Sequence, residues 1–284
     1  MIELAPNARY VALAHDRLDV HDAKTAVALL RYRPESVVAV IDRANAGATV
    51  QDVLGFGGAI PIVETLDEAL ELGPTHLLIA TALAGGLLPD DWRSVLVSAL
   101  ERGLDLVSGL HTPLKSYPEI AAAAERHGGR LVDLREVPTE LGMPDDSRRK
   151  VECPVVLTVG SDCNVGKMTA VWEFCRAAES QGLRAAFVPT GLTGELLAGW
   201  GMAIDRVISD FVAGASEQLV VEAWERDHPD LVLVEGQGSL IHPFFSGVTL
   251  GLLHGTAPDA MILCHVVGRE TVRHRPDQAI PDLS

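Results

Sequence analysis

Short runs of β-branched and aliphatic residues alternate with amphipathic stretches of helical period along the whole chain. Continuous apolar runs of four to eight residues read as buried strands, and apolar positions recurring every three or four residues read as helices. Over the first half the pattern predicts strands at Tyr10–His15, Ser36–Ile41, Ile60–Val63, Thr75–Ala80, Leu104–Ser108 and Arg130–Leu134. Between them it predicts helices at Asp22–Tyr32, Leu66–Leu72, Asp91–Arg102 and Tyr117–His127. Thr65 with Glu68, and Ser116 with Glu119, fit the capping box, in which hydroxyl and carboxylate each satisfy an orphan backbone amide. Gly73, Gly103 and the Gly128–Gly129 pair stand where left-handed C-caps end helices. This alternation implies an α/β fold with a mainly parallel sheet and helices on its faces.

The pattern fails between Arg135 and Cys153, where proline, glycine, an Asp-Asp pair and an Arg-Arg-Lys run crowd together. The expected organisation is a Rossmann-like domain over 1–136, a linker over 137–153 and a P-loop domain over 154–284. In the last of these, strands are predicted at Val155–Val159, Ala185–Val188, Leu231–Val234 and Ala260–Val266, and helices at Gly166–Gln181 and Asp210–Arg226. Residues 268–284 read as irregular. Four strands leave a sheet edge uncovered, to be closed by chain further downstream or by a partner chain, as in a homo-oligomer.

Composition narrows the function. Of 284 residues 48% are hydrophobic, enough for two cores. Lys and Arg number 23 against 39 Asp and Glu, a formal charge of −16, and both halves are acidic. That excludes a protein that tracks nucleic-acid phosphates or an anionic membrane surface. An anionic ligand must instead be held locally, by backbone amides and a few placed cations. No run approaches the ~18 apolar residues of a membrane span. The N-terminus lacks a signal pattern, and Cys153, Cys163, Cys175 and Cys264 contain no C-x-x-C pair, so a cytoplasmic protein with reduced thiols is expected.

The strongest chemical signal is VVLTVGSDCNVGKMTAVWEF. An apolar strand runs into Gly160, Ser161, Asp162, Cys163, Asn164, Val165, Gly166 and Lys167, and a helix follows at once. A phosphate needs this arrangement. Glycines let successive amides face one anion, the helix N-terminus adds its dipole, and the lysine supplies a point charge. Met168 stands where a Ser or Thr hydroxyl ordinarily coordinates Mg²⁺. Thr169 comes one residue late, about 100° further round the helix. Phosphate binding survives this change, while Mg²⁺-dependent phosphoryl chemistry loses a ligand.

Two further strand ends carry candidates. Leu231–Val234 delivers Glu235 and then Gly236, Gly238 and Ser239 to the carboxyl edge, the ligand crevice of a doubly wound sheet. Glu235 is a candidate metal ligand, general base or ammonium partner, and His242 a candidate proton shuttle. After Ala185–Val188, the segment PTGLTG offers Thr190, Gly191 and Thr193 for close approach to a substrate. Asp205, Asp210 and Glu217 bring carboxylates to the following loop and helix, where Asp210 is also a candidate N-cap. In the first domain Asp42 ends the second strand, but no G-x-G-x-x-G precedes it, which argues against a dinucleotide. Lys24, Arg31, Arg33, His111 and Lys115 form a set of cations suited to a dicarboxylate substrate.

The loop form, with five residues between Gly160 and Gly166, resembles dethiobiotin synthetase. More broadly, DAKTA at 22–26, IDRANAG at 41–47, GLH at 109–111, GSDCNVGKMT at 160–169, TGLTG at 190–194, DFVAGASE at 210–217 and VEGQGSLIHP at 234–243 resemble a two-domain bacterial and archaeal family. That family pairs an N-terminal Rossmann-like domain with a C-terminal P-loop domain and was long labelled a domain of unknown function. The resemblance implies a D-glutamate N-acetyltransferase using acetyl-CoA, whose pyrophosphate and 3′-phosphate a P-loop can hold without hydrolysis. Glu235 or His242 would take the proton of the substrate amine, with Lys167 and loop amides at the phosphates. Cys163, activated by Lys167 and the helix dipole, offers a covalent relay instead. Family chains generally continue past the equivalent of Ser284. Two other readings compete: an ATP- and Mg²⁺-dependent ligase or kinase, supported by the loop form, and a non-catalytic nucleotide switch, supported by Met168.

Overall fold

The computed structural model describes residues 1–20, 23–81 and 88–282, in two compact units. Asp22, the expected start of the first helix, lies outside the described residues. One unit comprises Glu3–Glu136, and the other Met1–Ile2 with Val137–Ser284.

In chain order the first segment runs β1 (Ile2–Glu3), β2 (Tyr10–Leu13), α1 (Lys24–Tyr32), β3 (Val37–Ile41), α2 (Val50–Leu54) and β4 (Ile62–Val63). It continues with α3 (Leu66–Leu70), β5 (His76–Ile79), α4 (Asp90–Glu101), β6 (Asp105–Ser108), α5 (Pro118–His127) and β7 (Leu131–Asp133). Six of the strands form one parallel sheet in the order β4-β3-β2-β5-β6-β7. The order reverses between β2 and β5, the doubly wound arrangement that alternating strands and helices imply. Val11, Leu13, Leu77, Ile79 and Leu106 are sealed beneath Trp92, Leu96, Leu100 and Ile120 of the covering helices.

Helix starts follow local chemistry, with one correction. Thr65 caps α3 by accepting from the Glu68 amide at 3.3 Å. Ser116 caps nothing: α5 begins at Pro118 with Tyr117 as N-cap. Proline suits the first helical position and forces its predecessor into extended backbone, which puts Ser116 one residue too early. The complete capping box is Thr49–Asp52 on α2, a helix the apolar pattern does not reveal in its five residues.

The second unit continues β8 (Val155–Gly160), α6 (Lys167–Ser180), β9 (Ala185–Val188), α7 (Leu192–Ala198), β10 (Trp200–Gly201), α8 (Val212–Asp227) and β11 (Leu231–Val234). After these come α9 (Ser246–Thr256), β12 (Ala260–Cys264), β13 (Thr271–Val272) and β14 (Arg275–Ala279). Its parallel sheet runs β12-β8-β11-β9, and the β1–β10 and β13–β14 pairs lie outside it. Residues 271–279 are therefore an antiparallel pair and not irregular chain. The pattern missed it because Thr-Val and Arg-Pro-Asp-Gln-Ala carry too few apolar positions to alternate. Along the edge strand β12, Met261 and Leu263 are exposed.

The segment expected as a linker is fastened to this second unit. Val137, Leu141, Val151 and Cys153 join its core. The buried Glu217 accepts from the backbone amides of Asp145 and Arg148 at 2.8 and 3.0 Å. Arg148 in turn donates to the Thr256 carbonyl and pairs with Asp259 at 2.9 Å. Glu217 thus holds chain, and the Arg-Arg-Lys run is partly structural. No described helix is long and apolar enough to cross a membrane.

Candidate active site at the phosphate loop

Three strands of the second sheet end in polar turns on one edge: β8 in the phosphate loop, β9 in Thr190–Gly191, and β11 in Glu235–Ser239. β11 lies between β8 and β9, so its turn faces both neighbours. Val155, Leu157, Val232 and Val234 are fully buried, which fixes the strands and hence the turns they carry.

The loop has the geometry of an anion cradle. Asn164 and Gly166 take left-handed backbone, with φ of 51° and 88°, and helix α6 starts at Lys167. First-turn amides of a helix have no carbonyl partner within it, so those at the start of α6 point outward with the dipole behind them. Gly160 is required by space: a Cβ there would lie 2.6 Å from the Asp162 carbonyl oxygen, 2.8 Å from Val165 and 2.9 Å from the Lys167 ammonium. Lys167 itself is buried, where an exposed lysine is the simpler expectation. Its Nζ donates to the Asp162 carbonyl at 3.1 Å, and burial pulls its pKa below the usual value. The loop thus folds its lysine inward, leaving it a desolvated charge that an incoming phosphate would pair. Ser161 is buried and its hydroxyl meets His265 Nδ1 at 2.8 Å. Val165 is buried, Met168 half-buried and Thr169 exposed.

Glu235 is the central acid. Oε2 accepts from the amides of Thr190 and Gly191 at 3.0 and 3.1 Å, and the Thr190 hydroxyl donates to the Glu235 carbonyl at 2.6 Å. Gln237 Nε2 donates to the same hydroxyl at 3.2 Å. Burial pushes the Glu235 carboxyl up to about 7. The two amides, Gln237 and the Lys167 charge oppose that rise without cancelling it. The next residue, Gly236, is wedged against Thr158 and the stem of Lys167, and its amide donates to Thr158 Oγ1 at 2.9 Å. Glu235, Thr190, Gly191 and Lys167 are therefore one cluster.

Other candidates take different roles. His242 is fully buried, Nδ1 accepts from the Phe244 amide at 3.2 Å, and Nε2 meets the Arg273 carbonyl at 3.0 Å. An amide only donates and a carbonyl only accepts, so the ring is a neutral tautomer with its proton on Nε2 and its Nδ1 lone pair engaged. His242 is thereby a brace between two turns and has no lone pair left to take a proton. Asp162, also fully buried, spends both oxygens: Oδ1 on the Cys163 amide at 2.6 Å, Oδ2 on the Arg273 amide at 2.8 Å and on Arg269 at 3.2 Å. Asp162, Cys163 and His242 bring ligand-type atoms within 4.8 Å of one another, but those of the acid and the imidazole are engaged as described. The expected activation of Cys163 is reversed. Burial raises its thiol pKa, and the charges of Lys167, Arg273 and Arg269 lower it by less.

Thr193 is half-buried in the first turn of α7. Asp210 does not cap α8: it is exposed in a 3-10 turn, and the N-cap is Phe211. His111 is an exposed residue of the first unit. The cations proposed for a dicarboxylate there have local partners: Lys115 pairs with Glu136, Arg33 with Glu35, and Arg31 stacks on Phe56. Arg269, Arg273 and His265, which touch the loop and its acid, lie outside every motif named above. Their signal is local density: Arg269, Arg273 and Arg275 fall within seven residues of a chain poor in cations.

Comparison with known proteins places these features in a family. A family model described as a domain of unknown function, the DUF1611 P-loop domain, matches residues 143–284. Its companion, the DUF1611 Rossmann-like domain, matches residues 43–137. A protein of Tritonibacter scottomollicae named D-glutamate N-acetyltransferase is 40% identical over 96% of this chain and 78% of its own length. One of the same name from a Pseudoalteromonas species is 39% identical over 76% of this chain and 64% of its own length, so that the chain spans under two thirds of it. A crystal structure of a DUF1611 family protein from Anabaena variabilis superposes with a TM-score of 0.88 at 40% identity, covering 97% of this chain and 79% of that one. Identity and coverage of this order, over both domains, mean that the chain belongs to the DUF1611 family.

Proposed function

We propose that the protein is a cytoplasmic N-acetyltransferase that moves the acetyl group of acetyl-CoA to the amino group of D-glutamate or a closely related amino acid. The observation that carries this reading is the 40% identity, over 96% of the chain, to a relative named D-glutamate N-acetyltransferase. The loop is compatible with the donor. CoA supplies phosphates for the Gly160–Lys167 cradle and a thioester for transfer, and Met168 in place of a Mg²⁺-binding hydroxyl favours holding phosphates over cleaving them.

Within this reading Lys167 and the first-turn amides of α6 hold phosphate, and Thr190–Gly191 with Glu235 form the reacting side. A carboxyl whose pKa is raised to about 7 is a base poised near neutral pH, where it both accepts a proton readily and is substantially ionised. Glu235 takes the proton from the substrate ammonium. The freed nitrogen lone pair forms the C–N bond at the thioester carbonyl, the C–S bond breaks, and the second proton lost from that nitrogen goes to the departing thiolate, leaving the neutral amide and the free thiol. The raised Cys163 pKa supports this direct route over a relay through its sulfur.

The test runs D-glutamate with acetyl-CoA, and in parallel D-glutamate with ATP and Mg²⁺, following free thiol and ADP. Thiol release dependent on D-glutamate is the expected result. ADP formation without thiol would replace the reading by an ATP-dependent ligase or kinase, and neither product would leave a non-catalytic nucleotide switch.

A further inference from the structure

We propose that Gln237 seats the acceptor amine against the base: its carboxamide oxygen accepts one N–H of the substrate ammonium and so turns another toward Glu235 Oε1. The proposal rests on the reading that Glu235 is the base of an acetyl transfer. It adds the residue that aligns the nucleophile, contributed by the same turn after β11.

The orientation of the carboxamide follows from a single proton. The Thr190 hydroxyl gives its only hydrogen to the Glu235 carbonyl at 2.6 Å, so toward Gln237, 3.2 Å away, it can only accept. The atom facing it is therefore Nε2, and Oε1 is the end of the carboxamide turned away from Thr190. No described residue donates to that oxygen, and the side chain is half-buried. Its backbone is pinned, the Thr249 hydroxyl donating to the Gln237 carbonyl at 2.6 Å. The base presents one oxygen to the same place. Oε2 of Glu235 takes the amides of Thr190 and Gly191, which leaves Oε1 to receive a proton. Gly191 makes the room: a Cβ there would lie 2.7 Å from Gln237 Nε2 and 3.4 Å from Glu235 Oε1, so the two side chains border one space.

The ligand chemistry follows from what these atoms offer. Glu235 Oε1 and Gln237 Oε1 are both acceptors, whereas the start of α6 and Lys167 supply the donors of the loop. An ammonium, with three N–H groups in a tetrahedral array, meets two acceptors at once, and an anion would meet only lone pairs. One N–H proton passes to Glu235 Oε1 and releases the lone pair that forms the C–N bond, while the carboxamide holds a second N–H. A neutral amide suits this task because it takes no proton itself, so the ammonium yields its proton to Glu235 alone. A second carboxylate in its place would push the Glu235 carboxyl higher still. Holding the nitrogen in line before attack is the positioning that makes transfer effectively unimolecular.

The experiment is steady-state kinetics of the full chain with acetyl-CoA and D-glutamate, in the wild type, Gln237→Met and Gly191→Ala, with acetyl-CoA affinity read by calorimetry. Gln237→Met keeps the length and removes both polar atoms. Gly191→Ala keeps the amide on Oε2, and its φ of −145° is open to any residue, so it acts by displacing the carboxamide end. Both should raise KM for D-glutamate about 10–100-fold, the worth of a hydrogen bond to a charged group, with the Kd of acetyl-CoA within about twofold. In Gln237→Met the acid limb of kcat/KM should also move to higher pH. The carboxylate there loses a neighbouring donor, while Lys167, the charge facing it from α6, stays. A merely structural residue would leave that limb in place. Wild-type KM and an unmoved limb in Gln237→Met, or a loss confined to acetyl-CoA affinity, would overturn the assignment and leave Glu235 as the base. Should Gln237→Met fail to fold, Gly191→Ala decides alone by its KM. A wild type that releases no thiol with D-glutamate would instead sink the acetyl-transfer reading, and this inference with it.

Discussion

At the scale of single residues, the site is governed by which groups are buried and which of their lone pairs are spent. Glu235 has two backbone donors on one oxygen, yet desolvation outweighs them and lifts its carboxyl to about 7. As a general base it works only when ionised, so turnover should fall as pH drops below about 7 and level off above it. Glu235→Gln keeps the shape but accepts no proton; kcat should drop ~10²–10⁴-fold with acetyl-CoA affinity nearly unchanged. Steady-state kinetics across pH 6 to 9 check this, and near-normal turnover in the variant would remove Glu235 from the chemistry. For Cys163 the expectation is the opposite. Its thiol is raised by burial, which disfavours the thiolate a relay requires, so Cys163→Ser should keep turnover within about threefold. Intact mass spectrometry of the wild type during turnover should find no acetylated protein, and a trapped acetyl adduct abolished in Cys163→Ser would establish the covalent route instead. The sequence made Glu235 and Lys167 visible because a strand end and a Gly-Lys pair are local signals. It could not display the His242 tautomer, the spent oxygens of Asp162 or the burial of Lys167, which depend on partners as much as 111 residues away.

At the scale of elements, apolar runs predicted the ten main strands to within a residue or two, because each is long enough, or buried enough, to carry its own period. What escaped was short or glycine-rich. Helix α9 reads SGVTLGLLHGT, with no polar stripe to mark a face, and α7 begins in a Thr-Gly segment that resembles a loop. The glycines of the second unit divide into those demanded by contact and those merely tolerated. A Cβ on Gly236 would overlap the Thr158 carbonyl oxygen and press on Lys167 at 3.2 Å, and the backbone of a central strand cannot yield. Gly236→Ala should therefore cost about 1–3 kcal/mol and weaken cofactor binding as well, since Lys167 shifts with it. Gly247, in the first turn of α9, meets nothing within 4 Å, so Gly247→Ala should be neutral or stabilise by roughly 0.5–1 kcal/mol. Denaturant melts of the two variants side by side test the distinction, and equal effects would contradict it.

For the whole molecule, an acidic protein is proposed to bind a polyanion, and the two facts are reconciled only if attraction is local and repulsion is long-range. The formal charge is −16, while the cations that meet the loop, Lys167 and Arg269, act over contact distances within a partly buried site. Salt screens the distant charges far more than the buried ones, the Debye length shrinking from about 14 Å to about 7 Å between 0.05 and 0.2 M. A basic protein that recruits phosphates with its whole surface loses orders of magnitude in affinity over that range. Here the two contributions oppose each other. Screening should relieve the general repulsion, raising the association rate for acetyl-CoA, while slightly weakening the local pairs and raising the dissociation rate. The equilibrium constant should then move by less than about threefold, with both rate constants rising together. Stopped-flow association and calorimetry at the two salt concentrations measure these quantities directly. An association rate that falls steeply as salt rises would mean that the field at the site is positive over long range, and that the cofactor is drawn by more of the surface than the loop and the arginine beside it.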